Sequence, residues 1–118
     1  MRSLTAAIAA AFMLLAASAT APADPVVRYH TCDHAGIEST TTKRHVDYLS
    51  TQGDCGRAQH IARLWVHSHS CGVSNCNVWD GNTAIAYCNN TTVHGNNEYT
   101  TRCHNAQSVG FIIGWKKL

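Results

Sequence analysis

The chain is 118 residues long, 45% apolar and 14% charged, with six Cys, eight His and a formal net charge of +2. A charge so near balance, with no dense Lys/Arg cluster, excludes the electrostatic footprint of a nucleic-acid-binding protein. The length excludes a multidomain enzyme, and an even set of six cysteines points away from a reducing cytosol.

Residues 1–23 hold 10 Ala and no acidic residue. Arg2 precedes an apolar run from Leu4 to Ala17, and small residues follow, which is the plan of a secretory signal peptide. Cleavage after Ala21-Pro22-Ala23 is preferred over Ala19-Thr20-Ala21, because the latter would leave Pro22 at the new N-terminus. Residues 24–118 then read as a single secreted domain, β-rich and carrying every Cys and His. This part has only 17 Val, Leu, Ile and Phe in 95 residues, a thin core. Three disulfides would offset that deficit, at about 2–4 kcal/mol each.

Short runs rich in Thr, Val, Ile, Tyr and Trp alternate with turn signals along the rest of the chain. Strands are expected at 26–31, 41–49, 59–69, 77–79, 83–88, 99–103 and 109–115. Turns are expected at Asp33 to Gly36, Gln52 to Gly56, Gly72 to Asn75, Asp80-Gly81-Asn82, Asn89-Asn90 and Gly95-Asn96-Asn97. The segment 59–69 also fits a helix with Ala58, Ile61, Ala62 and Trp65 in a stripe. The run Leu64-Trp65-Val66 and the absence of a clean polar face favour a strand. In the last segment Val109, Phe111, Ile113 and Trp115 form one apolar face, while Gly110 and Gly114 on the other permit close approach. Its apolar-then-cationic end, Gly110 to Leu118, is too short to cross a bilayer and alternates as a core strand does. The expected fold is all-β: a small disulfide-stabilised β-sandwich or barrel of six or seven short strands.

The cysteines stand at 32, 55, 71, 76, 88 and 103. Cys32–Cys55 is the preferred bridge, since the two flank the strand at 41–49. The others pair as 71–76 with 88–103, or as 71–88 with 76–103. No C-x-x-C knuckle supports a zinc site instead.

Large aromatic and Arg side chains anchor interfaces. Trp65 with Arg63, Trp79 ahead of Asp80-Gly81, and Tyr48 near Arg44 are therefore the candidate binding residues, with core packing as the competing role for the tryptophans. His67 and His69, two apart on a strand, would share a face and present two imidazoles to one metal ion. His60, His94 or His104, with Asp80 or Glu98, would complete the site. A hydrolase would need paired acid and base groups with a cation. His45, His94 or His104 with Glu38 or Glu98 and Arg102 are the residues available for that role. No cofactor-binding motif occurs, and no cofactor is expected.

The order Cys32, Cys55, a β-rich stretch to Cys71, then Cys76 to Cys103, with Asp54-Cys55-Gly56 leading into it, resembles the layout of the small secreted α-amylase inhibitors of streptomycetes. The likeness spans 32–103. It implies a six-stranded β-sandwich with one early short disulfide and one later longer one, and an inhibitory role. The family's Trp-Arg-Tyr turn is replaced here by Thr40-Thr41-Thr42-Lys43-Arg44, and this chain carries two further cysteines.

These features point to a secreted disulfide-rich binding protein, whether inhibitor, toxin or extracellular interaction module, without catalysis of its own. Its partner would be an extracellular protein or glycan, with no nucleic acid and no stable membrane insertion. The alternatives are a His-based metal-binding protein or small secreted hydrolase, and an antimicrobial protein acting on cell envelopes.

Overall fold

Residues 27–118 are described by a computed structural model, and the expected signal peptide lies outside them. They form β1 (His30–Thr31), β2 (Glu38–Ser39), β3 (Arg44–Thr51), α1 (Cys55–His67), β4 (Cys76–Asp80), β5 (Thr83–Gly95), β6 (Glu98–His104) and β7 (Gly110–Lys117). All pairings are antiparallel, in the order β1-β3-β7-β6-β5-β4, with β2 also on β3. The chain is thus the small all-β domain with three disulfides that its sequence predicts. It is built as one open sheet, and a helix, not a second sheet, closes the core.

That helix takes residues 59–67 of the segment 59–69, where a strand was expected, together with the four residues before them. Asp54 caps it: the carboxylate accepts from the Arg57 N–H at 2.9 Å. The stripe Ala58, Ile61, Ala62, Trp65 and Val66 is buried against the sheet. A helical period satisfies these five residues at once, whereas a strand would have turned Ala62 and Val66 away from Ile61 and Trp65. Asp54-Cys55-Gly56 therefore opens a helix, and the sandwich architecture implied by the amylase-inhibitor resemblance is not formed.

Two hairpin turns follow the sequence signals. Gly81 has φ +62 at the first turn position between β4 and β5, as a two-residue II′ turn requires. Asn96 and Asn97, at φ 43 and 62, make the I′ turn between β5 and β6. Asn89-Asn90, expected to turn, instead stays in β5 as an irregularity between Cys88 and Asn90, because pairing with β6 continues on both sides. β5 is accordingly more than twice as long as the expected 83–88.

Register assigns the two faces. Toward the helix lie the rows Val46–Trp115–Tyr99, Leu49–Ile113–Thr101–Thr91 and Thr51–Phe111–Cys103–Cys88–Cys76. Most of these side chains are buried, and they form the core with the helical stripe. The bridges are Cys32–Cys55, Cys71–Cys76 and Cys88–Cys103. The first ties β1's end to the first residue of α1, the second closes the loop after α1, and the third joins directly opposed residues of β5 and β6. By loop closure they contribute about 2 kcal/mol for the short second bridge and about 3 for each of the others.

β7 lies in the middle of the sheet with Phe111, Ile113 and Trp115 inward. Its glycines carry the close approach expected of them. A Cβ on Gly110 would strike the Tyr29 hydroxyl, and one on Gly114 would lie 2.8 Å from the Tyr48 Cβ. The Tyr48 Cβ is fixed to its backbone and cannot swing aside. Gly114→Ala is therefore expected to lower stability by about 1–3 kcal/mol, read as a reduced urea midpoint at unchanged slope.

Candidate functional site

No helix or second sheet among the described residues covers the side of the sheet away from α1, where Ser50 is nonetheless buried and Tyr29 lies against Gly110. The rows of that side are His45–Lys116–Glu98, Tyr48–Gly114–Thr100–Thr92, Ser50–Ile112–Arg102–Asn90 and Gly110–His104–Tyr87–Asn77. An antiparallel sheet commonly leaves one face to water, but this one carries more than small polar groups. Tyr48, Trp79 and Tyr87 are all exposed. Val78 is buried toward the helix and Asp80 reaches a helix residue, so Trp79 between them belongs to the open face.

Alternation along β6 places Glu98, Thr100, Arg102 and His104 in one column of this face. Neighbouring strands add to it. His94 meets the Thr100 hydroxyl at 2.7 Å, Lys116 stands 3.7 Å from Glu98, and Tyr87 meets the His104 ring edge to face at 5.8 Å. A depression of about 150 Å³ opens beside that pair, lined in part by Asn77 and Asn105. At the other end of the face His45 lies 3.6 Å from Glu38. The residues named for a hydrolytic site thus share the open face but are spread along it, and His45–Glu38 is the one imidazole–carboxylate pair in contact among them.

The five candidate binding residues separate. Tyr48 and Trp79 lie on the open face, and Arg63 is exposed on α1. Trp65 and Arg44 are interior, at 0% and 6% exposure, so neither offers area to a macromolecular partner. Trp65 packs edge-on to Trp115 at 5.3 Å, and the Arg44 guanidinium lies 5.0 Å from its ring centre. Arg44 donates to the carbonyls of Trp65 at 2.8 Å and Cys71 at 2.9 Å, and Thr42 donates to that of Val66. A cation and a hydroxyl so placed satisfy the last-turn carbonyls of α1. Burial pushes the Arg44 pKa down from its ordinary value.

The histidine pair does not share a strand. His67 is the last residue of α1 and His69 follows in a turn, both exposed. On a helical path residues two apart point to different sides. His60 pairs with Asp80 at 2.9 Å and fastens the helix to β4. The one group of three metal-ligand types found close together among the described residues is His30, Cys32 and Cys55. Its two sulfurs are joined in a disulfide, and a thiolate is what a metal would need.

Tyr87, Asn90 and Asn77 are open-face residues that sequence reasoning passed over. The signal was present in Cys88: a bridged cysteine faces the core, so its neighbour Tyr87 must face outward. Comparison with protein-family models, curated proteins and solved structures gives no match to this chain.

The tryptophans make the division measurable. Trp65→Ala is expected to cost about 3–5 kcal/mol, whereas Trp79→Ala should stay within about 0.5 kcal/mol. Equilibrium unfolding monitored by far-UV circular dichroism checks both.

Proposed function

We propose that this chain is a secreted recognition module that takes an extracellular partner, a glycan before a protein, on the open face of its sheet. The observation that carries the reading is the one-sided closure of the sheet. The helix covers the apolar rows, while Tyr48, Trp79 and Tyr87 remain exposed among amides, hydroxyls and Arg102 on the other side. Aromatic rings set among such donors and acceptors suit a ligand that is itself flat and hydroxylated. Rigid strands hold them at fixed spacing, which lowers the ordering cost of binding. The leader and the three disulfides support export. Among the described residues no helix is long and apolar enough to cross a membrane. β7 keeps Phe111, Ile113 and Trp115 in the core, which favours this reading over action on cell envelopes by the C-terminal segment.

A second reading, a hydrolase acting on a ligand at the same face, is favoured by the column of Glu98, Arg102 and His104 with His94 alongside. These supply a carboxylate, a fixed cation and imidazoles within one surface.

One experiment separates the two. The oxidised protein is applied to an array of extracellular polysaccharide fragments, and retained glycans are re-tested with variants. Recognition on the open face predicts that Tyr87→Ala and Arg102→Ala each weaken binding by about tenfold or more. Arg63→Ala on the helix should change it less than about twofold. Shortening of the bound glycan, abolished by Glu98→Gln, would establish the hydrolase. Equal losses from Arg63→Ala and Tyr87→Ala would remove the open face as the site.

A further inference from the structure

The helix-facing side of the sheet is not covered along its whole length. Near the last turn of α1 a cavity of about 250 Å³ opens to solvent, with Arg44, Tyr99, Trp115, Lys117 and Val73 in its walls. It lies on the opposite side of the sheet from the proposed recognition face, since Trp115 and Tyr99 belong to a core row. Two cationic residues line it and no acidic residue does.

Arg44 is the unusual member. Its side chain is buried, yet no carboxylate lies within ion-pair distance of it among the described residues. A guanidinium has five N–H donors, and two of its hydrogen bonds go to the carbonyls of Trp65 and Cys71. Carbonyl dipoles and the Trp65 ring soften the charge without cancelling it. A buried cation lacking a counter-ion leaves a positive potential in the space beside it, and low dielectric strengthens its pull on an anion.

The other walls specify what kind of anion. Tyr99 is stacked on Trp115 at 4.3 Å with planes 18° apart, giving a flat aromatic surface. Gly72, at φ +113, puts no side chain over the Nε–Nη2 edge of the guanidinium: a Cβ there would come to 3.5 Å from Nη2 and 3.6 Å from Nε. The volume of about 250 Å³ is just below the range of about 300–1,000 Å³ typical of drug-sized sites, so it suits a ligand of one ring.

We propose that this cavity is a binding site for a small organic carboxylate with a planar apolar body, the charge held between Arg44 and Lys117 and the ring laid against Tyr99. A planar carboxylate matches the guanidinium fork, and an apolar body is what inorganic phosphate lacks. The same chemistry is offered by a free aromatic acid and by the C-terminal carboxylate of a peptide ending in an aromatic residue.

Titration of the oxidised, isotopically labelled protein by NMR tests the site with four probes. They are benzoate, N-acetylphenylalanine for the peptide end, benzamide as the neutral counterpart of benzoate, and inorganic phosphate. Saturable shifts at Val73, Tyr99 and Lys117 are expected with one or both carboxylates, at Kd of about a millimolar, as befits a fragment-sized ligand. Tighter binding of benzoate assigns a free acid, and tighter binding of N-acetylphenylalanine assigns a peptide end. Benzamide and phosphate should bind at least about tenfold more weakly. Lys117→Gln should weaken the carboxylate about two- to fivefold. Val73→Asp, at an exposed rim position, should weaken it further by charge repulsion. Neither change touches a buried side chain, so the spectrum of the free protein reports that the fold is kept. Absence of saturable shifts, equal binding of benzamide, or indifference to both variants would overturn the assignment.

Discussion

Trp65 of α1 meets Trp115 of β7 edge-on, 5.3 Å between ring centres, and each ring has a second partner on its far side. Arg44 of β3 lies over Trp65, and Tyr99 of β6 stacks on Trp115. One continuous series of contacts thus joins the helix to three strands. A helix of 13 residues is marginal in water on its own and gains its stability from tertiary packing. Here the packing is reinforced at both ends. Cys55, the first helical residue, is bridged to Cys32, while Arg44 and Thr42 hold the carbonyls of the last turn. The Trp65 indole N–H meets no acceptor among the described residues, a cost of about 1–3 kcal/mol. Burying the ring, worth about 3–5 kcal/mol by the cost of its removal, outweighs that cost.

Most of the sheet was legible in the sequence, and the reason differs from strand to strand. β7 carries strict alternation of large apolar residues with Gly, so its inward face and its close neighbours could both be named. The turns at Gly81 and Asn96-Asn97 have side chains or backbones suited to positive φ and announced themselves. The helix was not read because Leu64-Trp65-Val66 is an apolar run that a strand also accommodates. What decides for helix is Asp54 as a cap, together with a burial stripe that includes Val66 and excludes Arg63. The site was half legible. Residue types showed that Trp and Arg mattered, but Trp65 and Arg44 serve the interior, since nothing in a single tryptophan tells core from surface. Tyr87 was legible only through the register of Cys88 with Cys103, a pairing that sequence leaves open.

The two sides of the sheet differ in kind. The helix side is apolar and cross-linked apart from the cavity beside Arg44, and its only ionised interior group is Arg44 among the described residues. The open side is wet and mixed in charge, with Lys116 between Asp47 and Glu98 at 3.9 and 3.7 Å. Such exposed pairs add little stability, about 0–1 kcal/mol each. Exposed open-face positions such as Trp79 and Tyr87 can therefore vary with little loss of stability, whereas Gly110 and Gly114 on the same face cannot. Stability is concentrated where the disulfides and the aromatic series are, and the rigid strands carry that order across to the other side.

The place of β7 has a consequence for when the fold can form. It is the last of the seven strands in chain order, yet it lies between β3 and β6 and pairs along the length of both. Without it the pairing network divides in two, β3 with β1 and β2 on one side and the β4–β6 meander on the other, each left with an unpaired edge. Joining them requires contact between residues as far apart as Arg44 and Lys117, and such distant pairings form slowly. The sheet therefore closes only when residues 110–117 insert between its two halves.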